Sequence, residues 1–376
     1  MFKFTILRND LKRITFLALF SLITLSTFGQ TYYLNVGTYT RATSKGIYVY
    51  QFNSATGDLT PVSVAKGITN PSFLAISRDQ RFLYATCGNK GDSATAYAIE
   101  KSSHKLNFLN AVPLTGSFGA AHLETDKTGK WLIVGNYGSG SITVLPLKSN
   151  GSLDAVSQTI HMEGKSVHTQ QDKPHVHSIN IAPNNRDVFV PDLGTDKIMN
   201  YQLDDQSGLT PSESPFTAVT PGSGPRHLTF HPNGKFAYVI EELSATITAF
   251  AYKGGKLEEI QTVNTLADDY TGRKWTADIH ISPDGKFLYG SNRAAESLAI
   301  FSIDPKSGKL TFVDRPSVMG KTPRNFAIDP TGNFLLVANQ DSDNIVIFKR
   351  DMTTGKLTAT GKEIAVSMPV CLKFVP

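Results

Sequence analysis

The chain has 376 residues, with 37 Lys and Arg against 32 Asp and Glu, a formal charge of +5. Four of those basic residues and one acidic residue fall in the first 30, leaving 33 against 31 in the remainder. That balance, with no Lys/Arg run after residue 30, excludes a nucleic-acid footprint.

Lys3, Arg8, Lys12 and Arg13 precede an apolar run from Ile14 to Leu25 and a small-residue exit through Ser26-Thr27-Phe28-Gly29. A basic stretch, a short apolar stretch and small residues read as a secretory signal peptide over residues 1–30. The run is short for a membrane anchor. The expectation is an exported protein, periplasmic or secreted, with no stable membrane association after cleavage.

From Tyr32 to Pro376 the chain is periodic. Tyr32–Gly37 and Gly46–Phe52 read as a strand pair without an inner strand before it. Then a phrase returns seven times, beginning at Pro71, Ala120, Val176, Pro225, Thr276, Pro323 and Pro369, at spacings of 49, 56, 49, 51, 47 and 46 residues. Each copy is a small residue or proline, a short apolar strand, a tight turn and a second apolar strand. The period matches one four-stranded propeller blade. In the copy at Pro225, His227–His231 reads as the inner strand A and Pro232-Asn233-Gly234 as the A–B turn. Phe236–Glu241, Thr246–Tyr252 and Leu257–Thr262 follow as strands B, C and D. The last copy stops after one strand, which the unpaired N-terminal strands are placed to complete. The fold class is therefore all-β: one seven-bladed propeller over residues 31–376, closed by N- and C-terminal strands in a single blade.

Strand order decides which loops share a face. Strand A starts where strand B ends, so the D–A and B–C loops emerge together, opposite the A–B turns. His, Arg and carboxylates crowd that first face. His122, His175, His177, Arg226, His227, Asp278, His280, Arg324 and Asn325 stand at starts of strand A. Asn136, Tyr137, Asp192, Glu241, Glu242, Asn292, Arg293, Asn339, Gln340 and Asp341 stand at ends of strand B. Such groups are costly to bury, so a ligand site or an inter-blade polar network is expected there.

The longest spacing comes from a loop, His161 to Pro174, that opens on the same face and reads as a lid or an inert surface loop. It leads into His175-Val176-His177, whose two imidazoles would point the same way on a strand. The His spacing matches no zinc pattern, so neither metal nor other cofactor is expected. Trp131 and Trp275 read as inter-blade packing, and Gly135–Gly140 as a B–C turn. Cys87 and Cys371, the only cysteines, fall near one end of adjacent blades. Export permits them to pair, but strands so placed rarely bring two Cβ atoms close enough.

Five phrases carry a family resemblance: Pro174-His-Val-His-Ser178, Val190-Pro-Asp-Leu-Gly-Thr-Asp-Lys197, Gly224-Pro-Arg-His-Leu228, Ser291-Asn-Arg293 and Val337-Ala-Asn-Gln340. With them the chain resembles the seven-bladed β-propeller lactonases, which include propeller-type 6-phosphogluconolactonases and muconate lactonizing enzymes. The resemblance implies a site of one His, two Arg and one Glu, which fall on His177, Arg226, Arg293 and Glu242. Asp278, where Glu is expected, and Ala120, where proline is usual, depart from the pattern.

The expected activity is hydrolysis of a sugar 1,5-lactone, phosphorylated or plain, with no other partner implied. Arg226 and Arg293 would hold the carbonyl and its developing oxyanion. Glu242 or His177 would be the base, with Glu242 favoured and His177 then the acid. His175, Asp192, His227, His280, Asn292, Arg324, Asn339 and Gln340 are expected to bind substrate, Arg324 with His175 or His227 as the clamp for a phosphate. The alternatives are a muconate-type cycloisomerase and a non-catalytic ligand- or partner-binding propeller.

Overall fold

The computed structural model describes residues 30–88 and 92–375. The expected signal peptide lies outside them, apart from Gln30. Seven four-stranded antiparallel sheets form a ring. Blade 1 contains Pro369–Val375, Thr31–Thr38, Gly46–Asn53 and Leu59–Lys66, in that spatial order. Blades 2 to 7 follow along the chain, starting at strands Leu74–Ile76, Ala120–Thr125, Asn180–Ile181, Pro225–Phe230, Thr276–Ile281 and Pro323–Ile328. Closure runs through an antiparallel pairing that sets Tyr33 against Val375, Val36 against Leu372 and Gly37 against Cys371.

The core is divided rather than central. Among the described residues, seven clusters of buried apolar side chains occur, and each spans one pair of neighbouring blades. Trp131 packs in the cluster between blades 3 and 4. Phe52, Leu34 and Leu372 of blade 1 meet Phe334, Leu336 and Ile347 of blade 7, so the chain's two ends share one apolar interface. Alternating side chains put apolar groups on both faces of each sheet, which suits a blade covered on both sides.

The turns follow the sequence. Gly234 takes φ +69° in the Pro-Asn-Gly turn of blade 5, a conformation that L side chains resist. Gly308, at φ +72°, lies so near the Phe236 ring of the adjacent blade that a Cβ would come within 2.5 Å. Blade 4 departs from the pattern. Its inner strand is only Asn180–Ile181, and Val176 makes an isolated bridge to Asp192. Cys87 and Cys371 are both free thiols.

Because Pro369–Val375 covers the open edge of Thr31–Thr38, a chain ending before Pro369 should lose its cooperative thermal transition. Melting of that truncated chain within about 5 °C of the full-length protein would show that closure contributes little to stability.

Candidate active site

A cavity of about 410 Å³ opens at the centre of the ring, on the face of the D–A and B–C loops. Two positions per repeat build it. The first is the residue after each copy's opening residue: Ser72, Ala121, His177, Arg226, Ala277, Arg324 and Val370. All but Ala277 line the cavity. In blades 3, 5 and 7 the cause is a bulge at the start of strand A. In blade 5, Pro225 faces Glu241 and His227 faces Ile240, so Arg226 is the extra residue. The same shift recurs between Ala120 and His122 and between Pro323 and Asn325. A bulge re-aims a side chain that the ladder would otherwise fix.

The second position is the residue just past strand B: Tyr39, Gly88, Tyr137, Leu193, Glu242, Arg293 and Gln340. Five of these seven, all but Leu193 and Gln340, line the cavity. The last residue of strand B does something else. Asp192 accepts from the backbone of His175 and Gly194 and from the Thr195 hydroxyl. Asn292 bonds Thr265 and Ser297, and Asn339 donates to the Val318 carbonyl. Asp192 stays within its own blade, whereas Asn292 and Asn339 reach the loops that arrive from the preceding blade.

Small groups on blades 1 to 3 (Val370, Ser72, Ala121, Gly88) leave room, and cations on blades 5 to 7 face it. At the cationic side, Glu242 joins two arginines. Its Oε2 accepts from Arg226 Nε at 2.9 Å and forms an ion pair with Arg293 Nη2 at 2.6 Å, and its Oε1 accepts from Trp275 Nε1 at 3.1 Å. Arg226 Nη1 also donates to the Ala277 carbonyl at 2.6 Å. Arg293 Nε and Nη2 donate to the Thr276 carbonyl, and its guanidinium lies 3.9 Å from the Trp275 ring centre. Among the described residues, Arg226 Nη2 and Arg293 Nη1 have no hydrogen-bond acceptor, so each guanidinium keeps one amino group to offer.

Electrostatics separate the roles. Burial alone would raise the Glu242 pKa, but Arg293, Arg226 and Arg324 outweigh it and hold the carboxyl below its usual range. Burial, then the positive charge of Arg324, brings Arg226 down to about 10, which leaves it protonated at neutral pH. His177 is buried and lines the cavity, with Nδ1 enclosed and unpartnered. Burial first, then Arg226, His227 and Arg324, push its pKa well below 6.5, so it is neutral at pH 7. A clamped, ionised carboxylate is a poor base and a neutral imidazole is a better one. These directions favour His177 as the base over Glu242.

The expected site residues thus part company. Glu242, His177, Arg226, Arg293, His227 and Arg324 line the cavity. His175, Asp192, His280, Asn292, Asn339 and Gln340 do not. Since blade 4 has no strand at that point, His175 and His177 diverge. His175 stacks on Tyr137 at 4.3 Å with Nδ1 on the Tyr137 carbonyl, while His177 meets the same ring edge-on at 5.4 Å. His280 lines a separate chamber of about 490 Å³ deeper in the channel, with Glu124 and Lys373. Gln340 pairs with its neighbour Asp341.

Sequence reasoning missed Trp275, read as packing, and also Tyr39, Arg273 and Asp92, which line the cavity. The position just past strand B, read in every blade, would have found Tyr39. The long loop contributes Gln170 to the lining, while Lys173 Nζ bonds the Gly138 carbonyl and Gln171 bonds Asp196. The described residues contain no cluster of three or more His, Cys, Asp or Glu placed to hold a metal.

The family model "Lactonase, 7-bladed beta-propeller" matches residues 33–374. A 6-phosphogluconolactonase of Bacillus subtilis is 38% identical over 344 residues, covering 90% of this chain and 97% of that one. The structure of a periplasmic gluconolactonase from Pseudomonas aeruginosa superimposes with a TM-score of 0.88 at 37% identity, covering 92% and 99% of the two chains. A crystal structure from Bacteroides fragilis gives 0.89 at 41% identity, with 93% and 99% covered.

Trp275 offers a direct test of the clamp. Trp275→Phe keeps a ring against Arg293 and loses the N–H that Glu242 accepts, so turnover should fall about tenfold. Trp275→Ala should fall further. Turnover of the Phe variant within about twofold of wild type would reduce Trp275 to a packing residue.

Proposed function

The chain belongs to the seven-bladed β-propeller lactonase family, and from that premise we propose that its cavity hydrolyses a sugar 1,5-lactone between the Arg226–Glu242–Arg293 clamp and His177. The clamp is the observation that carries this reading: two buried guanidinium groups, fixed by one carboxylate, each with an amino group unpaired. Fixed cations in a site screened from water stabilise a forming oxyanion without reorganising.

His177, neutral and facing the cavity, takes a proton from water as the oxygen attacks the lactone carbonyl carbon. Arg226 Nη2 and Arg293 Nη1 hold the carbonyl oxygen as it becomes an oxyanion. The intermediate collapses by breaking the bond between the carbonyl carbon and the ring oxygen, and protonated His177 returns its proton to that oxygen. The product is a hydroxy acid, which ionises in water. Glu242 stays ionised throughout and orients both arginines.

Arg324 has no carboxylate partner among the described residues, and its guanidinium stands 5.6 Å from the centre of the Tyr39 ring. Arg273 lies 4.2 Å from the Trp275 ring centre at the rim. These two cations are the groups we assign to an anionic substituent of the lactone, such as a phosphate. They replace the expected pairing of Arg324 with His175, which lies behind Tyr137, or with His227, which is committed to Asp278. The basic, apolar and small-residue leader supports export, in keeping with the periplasmic relative from Pseudomonas aeruginosa.

The assay is hydrolysis of 6-phosphoglucono-1,5-lactone and glucono-1,5-lactone above their spontaneous rates. Arg226→Ala should lower kcat/KM at least about 100-fold on whichever lactone is turned over. Arg324→Ala should raise KM about tenfold for the phosphorylated lactone and leave the plain one within about twofold. Acceleration of neither lactone would sink the proposal and favour ring closure or ligand binding.

The pH profile tests His177. Its pKa is depressed, so the deprotonated form required of a base persists as pH falls past 6.5. We expect kcat/KM to stay level from about pH 8 to about pH 6. An acid limb with its midpoint at or above about pH 6.5 would remove His177 as the base.

A further inference from the structure

Below the clamp, a second set of buried polar groups converges on Arg226 from another direction. Asp278 is 2% exposed. Its Oδ1 accepts from His227 Nδ1 at 2.8 Å. Its Oδ2 accepts from Asn325 Nδ2 at 2.5 Å and from the Phe326 amide at 3.2 Å, and lies 2.8 Å from His280 Nε2. Its own amide donates to the Ser291 hydroxyl at 2.9 Å. Three blades therefore hold this one carboxylate in place.

The consequence for His227 follows from donor and acceptor counting. An ionised carboxylate only accepts, so His227 carries its hydrogen on Nδ1 and keeps a lone pair on Nε2. Arg226 Nη1, which only donates, lies 3.1 Å from that Nε2. Burial, then Arg226, draw the His227 pKa down to about 4, in keeping with a neutral ring. Arg226 Nη1 thus spends its hydrogens on the Ala277 carbonyl and on His227, and Nε is spent on Glu242. Only Nη2 is left for the cavity.

We infer that Asp278 and His227 are positioning residues for Arg226: Asp278 fixes the His227 tautomer, and Nε2 of that tautomer holds the guanidinium with Nη2 toward the reacting carbonyl. The inference rests on the assignment of Arg226 to the oxyanion. It also explains why His227 borders both chambers of the channel. The ring is the part through which the deeper carboxylate acts on the site above.

The test uses two amides that each keep half of the imidazole. Gln at position 227 can offer an oxygen near the Nε2 position and so an acceptor for Arg226. Asn can offer an N–H near the Nδ1 position and so a donor to Asp278, but no acceptor for Arg226. His227→Asn should lower kcat at least about 30-fold with KM changed less than about threefold, because the lost interaction matters most in the transition state. His227→Gln should restore kcat to within about fivefold of wild type. A purely structural role would lower the melting temperature of both and leave kcat per folded molecule unchanged. The inference is overturned if His227→Asn stays within about threefold of wild type, or if both variants lose kcat equally.

If His227→Asn fails to fold, Asp278→Asn with and without His227→Gln reads the same coupling. The double variant should exceed Asp278→Asn alone, and equal turnover of the two would overturn the inference. Arg226→Ala, measured in parallel, separates the two readings. Near-normal turnover there removes the oxyanion assignment itself, whereas a large loss there beside an unaffected His227→Asn removes only the positioning role.

Discussion

Every blade buries both of its faces against neighbours, and the organisation of this molecule follows from that constraint. The seven apolar clusters of the described residues each lie between neighbouring sheets, which places the main hydrophobic driving force between the blades. The innermost strands meet a channel, so residues there are released from the apolar pattern that the blades impose. The ring must also close, because an unpartnered blade would expose an apolar face and a bare edge. Sharing one blade between the two ends of the chain meets both needs.

Within that frame the site is a broken symmetry. The repeat supplies the same two cavity-facing positions in each blade, and the chain fills them unequally. Ser72, Ala121 and Val370 are small, which opens space over three consecutive blades. His177, Arg226 and Arg324 fill the same position with functional groups, and Glu242 and Arg293 do so at the position past strand B. Polarity across the cavity thus needs no inserted domain. Side-chain choice at equivalent backbone positions is sufficient, with the Arg273 to Trp275 segment and Gln170 added from longer loops.

This organisation explains what could be read in the sequence. Blade number, closure and turn chemistry were legible because each follows from a local phrase repeated seven times, such as the Pro-Asn-Gly turn around Gly234. The loop face was legible from strand order alone. Which polar residue at a strand end meets the ligand was less so, because the answer turns on a single residue of register. Asp192, Asn292 and Asn339 end strand B and bond to nearby loop and strand residues, whereas Glu242 and Arg293, one residue later, reach the cavity. His280 falls in the deeper chamber because it lies two residues beyond Asp278 on a strand that runs down the channel. Trp275 eluded the pattern because it precedes the repeated phrase, and its N–H has a specific partner only once blades 5 and 6 are assembled.

The clamp itself is an unfavourable thing to bury. Desolvating two guanidinium groups and a carboxylate costs several kcal/mol per ion, and a well-packed apolar trio of similar volume is often as stable or more so. What an apolar trio lacks is fixed charge whose direction is set before substrate arrives. Glu242 is bonded at both oxygens, and the backbone carbonyls of Thr276 and Ala277 take further donors. Little orientational freedom remains in either guanidinium, and the loss was taken during folding rather than during reaction. The proposed stabilisation of charge on one oxygen atom through a tetrahedral intermediate would gain most from such prior ordering. The propeller can accommodate that burden because its stability is distributed over seven independent apolar interfaces, none of which passes through the axis where the charges lie.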